Sequence, residues 1–159
     1  PTEGKIVVNG TELQELNINS YWEKTGYVMQ RTQFFNDSVK QNMRLLHIVS
    51  EDEMDLAAKY LDLYDEIHLL EKGWDTEIKI NPCNFSEGQI RRLDIMRTIL
   101  KKSQLLIFDE ATANIDEKRR SRFYQLLHEL SKDKIIIYAT HDSKELQEAD
   151  IIVNLENYK

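Results

Sequence analysis

In the stretch "QLLIFDEATANID", residues 104–116, an apolar run leads directly into two adjacent carboxylates, Asp109 and Glu110. Burying two acids side by side is unfavourable unless a cation or a hydrogen-bond network needs them. An acid at the end of a buried strand suits a Mg2+–nucleotide site. Magnesium prefers oxygen ligands, keeps several waters, and is often held through one carboxylate. The neighbouring acid can then orient an attacking water. The same pair would also suit a strand end whose acids cap the next turn. A second element tilts this balance. "FSEGQ", residues 85–89, opens the helix just upstream. Ser86 can cap that helix, Gly88 lets a ligand approach the backbone, and the free N–H groups of the first turn attract an anion. A plain serine cap is the commoner use of such residues, and it is the placement one helix before "LLIFDE" that discriminates. Two further polar residues sit where strands end, Gln30 and His141. The other histidines, His47, His68 and His128, fall within helical stretches and read as surface or boundary residues.

The elements that must position these groups follow from periodicity. "GKIVVNG" reads as a short strand closed by an Asn9-Gly10 turn, and "TGYVMQ" as a strand over about Tyr27 to Met29. From Asp37 to Gly73 the pattern is helical, with Val39, Met43 and Leu46, then Met54, Ala57 and Leu61, then Tyr64, Ile67 and Leu70 at helical spacing. The helix from Ser86 should bury Ile90, Leu93, Met96 and Leu100 and leave Arg91, Arg92, Arg97, Lys101 and Lys102 more exposed. "LLIF" is a strand, and a helix capped by Asp116 follows, with Phe123, Leu126, Leu127 and Leu130 inward. "KIIIYAT" is a strand, "SKELQEA" a short helix and "IIVNL" another strand. Strands without polar alternation, separated by helices, imply a parallel sheet covered on both faces. Ligands of such sheets lie beyond the strand C-termini, where Gln30, Asp109, Glu110 and His141 all fall. Trp22 and Trp74 read as packing residues.

The chain has 159 residues, enough for one domain with a real core. A net charge of −7 without a block of Lys and Arg argues against nucleic acid as a partner. The one cysteine, Cys83, excludes an internal disulfide, fits a reducing compartment and reads as a loop bystander. Apolar runs are too short to span a bilayer, and no signal peptide or internal repeat is visible. The opening "PTEGKIVVNG" reads as mid-fold sequence, so a fragment is expected.

Together these segments resemble the ABC transporter ATPases. "FSEGQIRRLDIMRTIL" is similar to the family's signature motif and its helix. "LLIFDEATANID" is similar to the Walker B segment and D-loop, "IIIYATHD" to the switch strand, and "YVMQRTQFFNDSVKQNM" to the Q-loop. The order and spacing agree over essentially the whole chain, and the segments after Gln30 and before Ser86 look like exporter-type subunits. The resemblance implies an α/β fold: a P-loop-NTPase-like, largely parallel sheet with an inserted helical subdomain and the N-terminal portion missing. The helical subdomain would span about 37–90 and the core about 1–36 and 91–159. It implies ATP and Mg2+ as cofactors, with Glu110 and His141 catalytic, and Asp109 and Gln30 at the metal. Gln30, Ser86, Gly88, Gln89 and Asp116 would bind nucleotide, Ser86 to Gln89 doing so across a head-to-tail dimer with a second nucleotide-binding domain. It further implies transmembrane domains as partners and a place at the cytoplasmic face of the cell membrane.

Three departures stand out. The phosphate-binding loop G-x-x-x-x-G-K-[ST] does not occur in the chain. Lys79-Ile80 and Pro82 stand where exporters usually carry a glycine-glutamate pair and a glycine, which puts the coupling detail of that loop in question. Glu87 replaces the commoner glycine of the signature. Two rival readings remain at this point. One is a nucleotide-independent interaction or regulatory module derived from the cassette. The other is a DNA-repair or chromosome ATPase of the same family, disfavoured because the interval from Gln30 to Ser86 holds no sustained heptads.

Overall fold

The computed structural model describes residues 3–45, 47–80, 83–112, 115–141, 146 and 149–155. The chain opens with a hairpin of β1 (Val7–Val8) and β2 (Thr11–Glu12). Its two-residue turn places Asn9 at φ 50° and Gly10 at φ 82°. Both central residues are left-handed, as a type I′ hairpin turn requires. After α1 (Ile18–Glu23), capped by the Asn17 side chain, comes β3 (Thr25–Val28). Met29, expected within this strand, lies just past it; its carbonyl bonds to the Arg91 side chain instead of to a ladder.

The helical stretch comprises α2 (Val39–Arg44), α3 (Glu51–Tyr60) and α4 (Tyr64–His68). Ser50 and Glu53 close a capping box at the start of α3. Val39, Met43, Met54, Leu61 and Ile67 are buried at the expected spacing, while Leu46 lies outside the described residues. Trp74 is buried, with its indole N–H donating to Asp55 Oδ1 at 2.9 Å. Trp22 instead stands half exposed, edge-on to Tyr21.

The next helix, α5 (Glu87–Leu100), packs against α2, α3 and β3 at once. It leads into β4 (Leu105–Asp109), α6 (Glu117–Leu130) and β5 (Ile135–Ala139). The three strands form a parallel sheet in the order β3-β4-β5, with Val28, Phe108 and Tyr138 in register. Helices α5 and α6 cover one face of it. Phe108 meets Phe123 edge-to-face at 5.3 Å. At Gly26 a Cβ would come within 2.8 Å of Leu106 Cδ2 and 2.9 Å of Thr98 Cγ2, so glycine is what allows α5 to lie this close to β3.

Two expectations need correction. The sheet is not covered on both faces by the described residues: Ile135 and Ile137 are 67 % and 52 % exposed, and Tyr27, in the row of Ile137, is exposed too. An apolar run shows that a strand can be covered, not which part of a protein covers it. Residues 151–155 form no strand, and Ile151, Val153 and Leu155 are exposed. An apolar pentapeptide becomes a strand only with a ladder partner, and none pairs with it among the described residues. The expected helix "SKELQEA" lies mostly outside the described residues.

Candidate functional site

Because β3, β4 and β5 are parallel and in register, their C-terminal ends share one edge of the sheet. Gln30 follows β3, Asp109 and Glu110 close β4, and His141 follows β5. Their side chains meet there. Gln30 Nε2 donates to Glu110 Oε2 at 3.2 Å, and His141 Nδ1 lies 3.3 Å from Glu110 Oε1. Tyr27 Oη reaches Asp109 Oδ2 at 3.5 Å, a long contact. Three of the four residues expected at strand ends, Gln30, Glu110 and His141, are therefore joined by side-chain contacts, with the Glu110 carboxylate at their centre and about a third of that side chain open to solvent, while Asp109 stands beside them paired with Tyr27.

Glu110 adopts φ 48°, in the left-handed region that non-glycine residues rarely occupy. Such a conformation is disfavoured by roughly 1–2 kcal/mol for an L-residue. Its N–H donates to Ala139 O at 3.0 Å, continuing the β4–β5 contact past the last strand residue. In a continuing strand Asp109 and Glu110 would point to opposite faces. The left-handed turn breaks that alternation, and the Glu110 carboxylate ends between Gln30 and His141.

Arg91, expected to be exposed, is 5 % exposed and lies beneath this cluster. Its Nε donates to Ala111 O at 3.0 Å, and its Nη2 to Asp109 O at 2.9 Å and Glu110 O at 2.6 Å. Its Nη1 donates to Met29 O. Burial pulls the guanidinium below its ordinary value, while Asp94, Asp109 and Glu110 oppose that shift. Arg92 is buried as well, donating to Leu61 O, Asp62 O, Gly88 O and both oxygens of Glu66. Arg97 is half-buried, bonds Asp94 at 2.6 Å and stacks over Phe34. Burial pushes the Asp94 carboxyl up, with Arg97 opposing. The reason these charges turn inward is that α5 is enclosed on nearly all sides. Arg91 through Met96 are buried without a break. A signal was present: Ile90, Leu93, Ile95, Met96, Ile99 and Leu100 cover more than one face of the helix, so its charged residues need internal partners.

Ser86 caps α5 in a reciprocal box. Its hydroxyl accepts from Gln89 N at 3.2 Å, and Gln89 Oε1 accepts from Ser86 N at 2.8 Å. Gln89 Nε2 also donates to Glu66 at 2.9 Å. Ser86 is exposed, whereas Gly88 and Gln89 are half-buried. The structure does not join these three residues to the Glu110 cluster by hydrogen bonds; Ser86 and Gln89 serve each other and Glu66. Asp116 caps α6, accepting from Arg119 N at 3.1 Å, and that bond is the main cause of its lowered carboxyl pKa. Arg119 also donates to Glu66 at 3.0 Å. Glu66, which the sequence did not single out, thus collects donors from α5 and α6 together.

The loop before α5 is closed by two asparagines. Asn84 accepts from Lys79 N and donates to Glu77 O, and Asn36 accepts from Ile80 N. Pro82 lies outside the described residues, and Cys83 is exposed. Among the described residues no group of three or more His, Cys, Asp or Glu forms a metal cage. The oxygen donors at the strand ends fit Mg2+ all the same, because that ion is commonly bound through one or two carboxylates and completes its shell with phosphates and water. Among the described residues no helix is long and apolar enough to cross a membrane.

Comparison with known proteins adds a family context. Residues 1–113 match the ABC transporter family. The uncharacterized ABC transporter ATP-binding protein YfiC of Bacillus subtilis (strain 168) is 33% identical over 158 residues, 99% of this chain and 26% of YfiC. A Staphylococcus aureus (strain NCTC 8325 / PS 47) protein, provisionally named a multidrug export ATP-binding/permease protein, is 34% identical over 157 residues, covering 98% of this chain and 27% of that protein. A bacterial Atm1-family ABC exporter, solved with ATP bound, superposes with a TM-score of 0.85 at 27% identity, over 93% of this chain and 26% of that one. The chain therefore spans about a quarter of the length of the relatives it matches.

Proposed function

This chain belongs to the ABC transporter family, and we propose that it forms most of a nucleotide-binding domain whose ATP hydrolysis drives export across a membrane. The observation that carries this reading is the Glu110 carboxylate, held between Gln30 Nε2 and His141 Nδ1 at the common end of three parallel strands. A carboxylate steadied on both oxygens and still open to solvent is suited to accept a hydrogen bond from a water and direct its lone pair at a phosphorus. His141 is more exposed than Glu110, and in this reading it would donate toward the γ-phosphate. Asp109 and Gln30 would hold Mg2+, which supplies charge neutralisation of the phosphate oxygens when bound.

The remaining site residues fit a shared site. Ser86, Gly88 and Gln89 belong to a helix start that is not bonded to this chain's own cluster, so they would act on nucleotide bound by a second nucleotide-binding domain placed head to tail. Asp116 would lie at the same seam. The helical part over about 37–90 would meet transmembrane domains, and the domain would work at the cytoplasmic face. The exporter among the structural relatives supports this assignment.

The test is Glu110→Gln in the full-length protein. Losing a group that acts mainly in the transition state lowers kcat while sparing affinity. ATP binding should persist and turnover should nearly vanish, whereas Asp109→Asn should weaken Mg2+ dependence and binding. Turnover by Glu110→Gln at close to the parent rate would move the catalytic role elsewhere, with His141 the next candidate. A cassette used only as a nucleotide-independent assembly module would show neither binding nor turnover in the parent protein.

A further inference from the structure

The Arg91 guanidinium is a planar fork of five N–H donors, and it engages four backbone carbonyls. One acceptor, Met29 O, lies immediately before Gln30 at the end of β3. The other three, Asp109 O, Glu110 O and Ala111 O, are consecutive at the end of β4. A single buried side chain thus joins the two strand ends whose side chains meet in the Gln30–Glu110 bond. One of the bonded carbonyls belongs to Glu110 itself, the residue held left-handed. That conformation is pinned from both sides, by Arg91 on its carbonyl and by Ala139 on its N–H.

Resting on the reading in which Glu110 directs the attacking water, we infer that Arg91 is a positioning residue that sets the backbone angle of Glu110 and its distance from Gln30. It touches no substrate; it acts through the peptide groups of the residues that do. Lysine cannot replace it here. An ammonium offers three donors from one atom and no plane, so it cannot span four carbonyls on two strands.

The experiment compares the full-length protein with Arg91→Lys, Arg91→Gln, Glu110→Gln and the Arg91→Lys/Glu110→Gln pair. Rates are counted per ATP site titrated with a non-hydrolysable analogue, so that partial unfolding does not imitate a catalytic loss. Misplacing a reacting group by about 1 Å lowers rates on the order of 100-fold. Arg91→Lys should therefore lower kcat by at least about tenfold while KM for ATP changes by less than about threefold. In the Glu110→Gln background the same change should have no further effect, the non-additivity expected of residues that act as one unit. Arg91→Lys at the parent kcat, an equal loss in both backgrounds, or a rise in KM alone would overturn the inference. So would failure of both Arg91→Lys and Arg91→Gln to fold, which would assign Arg91 to the scaffold alone. Failure of the underlying reading shows separately, as a Glu110→Gln protein that retains its rate, and it removes this inference with it.

Discussion

Gly26→Ala is a small change with a calculable consequence. The added methyl would sit 2.8 Å from Leu106 Cδ2, 2.9 Å from Thr98 Cγ2 and 3.3 Å from Thr98 O. Relaxed carbon–carbon contacts lie at roughly 3.5–4.0 Å, so the Leu106 side chain of β4 must shift and, to free Thr98, α5 must withdraw from β3 by roughly 0.5–1 Å. Both neighbours are buried and cannot swing into solvent. Overpacking of this kind destabilises by about 1–3 kcal/mol. The reduced freedom of the unfolded chain returns about 0.4–1 kcal/mol. The net expectation is a loss of about 1–2 kcal/mol. With a urea m-value of about 2 kcal/mol/M, the denaturation midpoint should fall by about 0.5–1 M at unchanged m. Adding Thr98→Ser removes the nearer α5 methyl and should recover part of the loss. The displacement also pulls Arg91 from Met29 O, so turnover should fall further than stability does. A midpoint equal to or above the parent's would refute the close-packing argument.

Further outcomes follow from other parts of the molecule. Ser86→Ala should cost about 1 kcal/mol of stability and Ser86→Gly only a few tenths, because glycine tolerates the cap position; thermal melts of the two variants separate the cap from any role of the hydroxyl in nucleotide binding. The Glu53 carboxyl is lowered to about 2, chiefly by its hydrogen bond from Lys102 and then by Ser50. A depressed folded pKa adds stability above the unfolded value of 4.5 and loses it as pH falls toward about 2. The melting-temperature gap between parent and Glu53→Gln should therefore close over that range, and a gap independent of pH would contradict the pairing. The chain by itself should give no saturable isotherm with millimolar MgATP. It contains no phosphate-binding loop, and each charge-assisted contact such a loop would make is worth about 1.5–3 kcal/mol. A micromolar Kd would show that other residues replace the loop.

How much of this was legible in the sequence depended on whether a residue's place follows from local pattern. Gln30, Asp109, Glu110 and His141 each end an apolar run, and a parallel sheet brings such ends together whatever the strand order. The caps Ser86 and Asp116 were readable for the same reason: each is a capping residue type standing immediately before a helical run. Arg91 was misplaced because helical spacing ranks charged residues as outward, although the apolar residues on more than one face of α5 already pointed to its enclosure. The left-handed Glu110 left no trace in residue type, since glutamate is not a residue that signals such a turn. Glu66 gains its role from three side chains distant in sequence, which no periodicity relates. The bare face of the sheet at Ile135 and Ile137 was hidden for the opposite reason. Its residues are those of a covered strand.

Glu66 carries a mechanical consequence. Its two oxygens receive Gln89 and Arg92 from the first turns of α5 and Arg119 from the first turn of α6. The Arg92 bonds are part-buried, the guanidinium enclosed and the Glu66 carboxylate partly open. Sliding one helix start past the other must break at least one bond to this carboxylate. Even a partly exposed ion pair approaches about 1 kcal/mol, and a buried charged bond exceeds it. Such bonds exceed the thermal energy RT only modestly, so Ser86 and Asp116 should be coupled in their motion rather than free to slide independently. Whatever surface meets these two helix starts then encounters two linked points, and a fit or misfit at one is felt at the other.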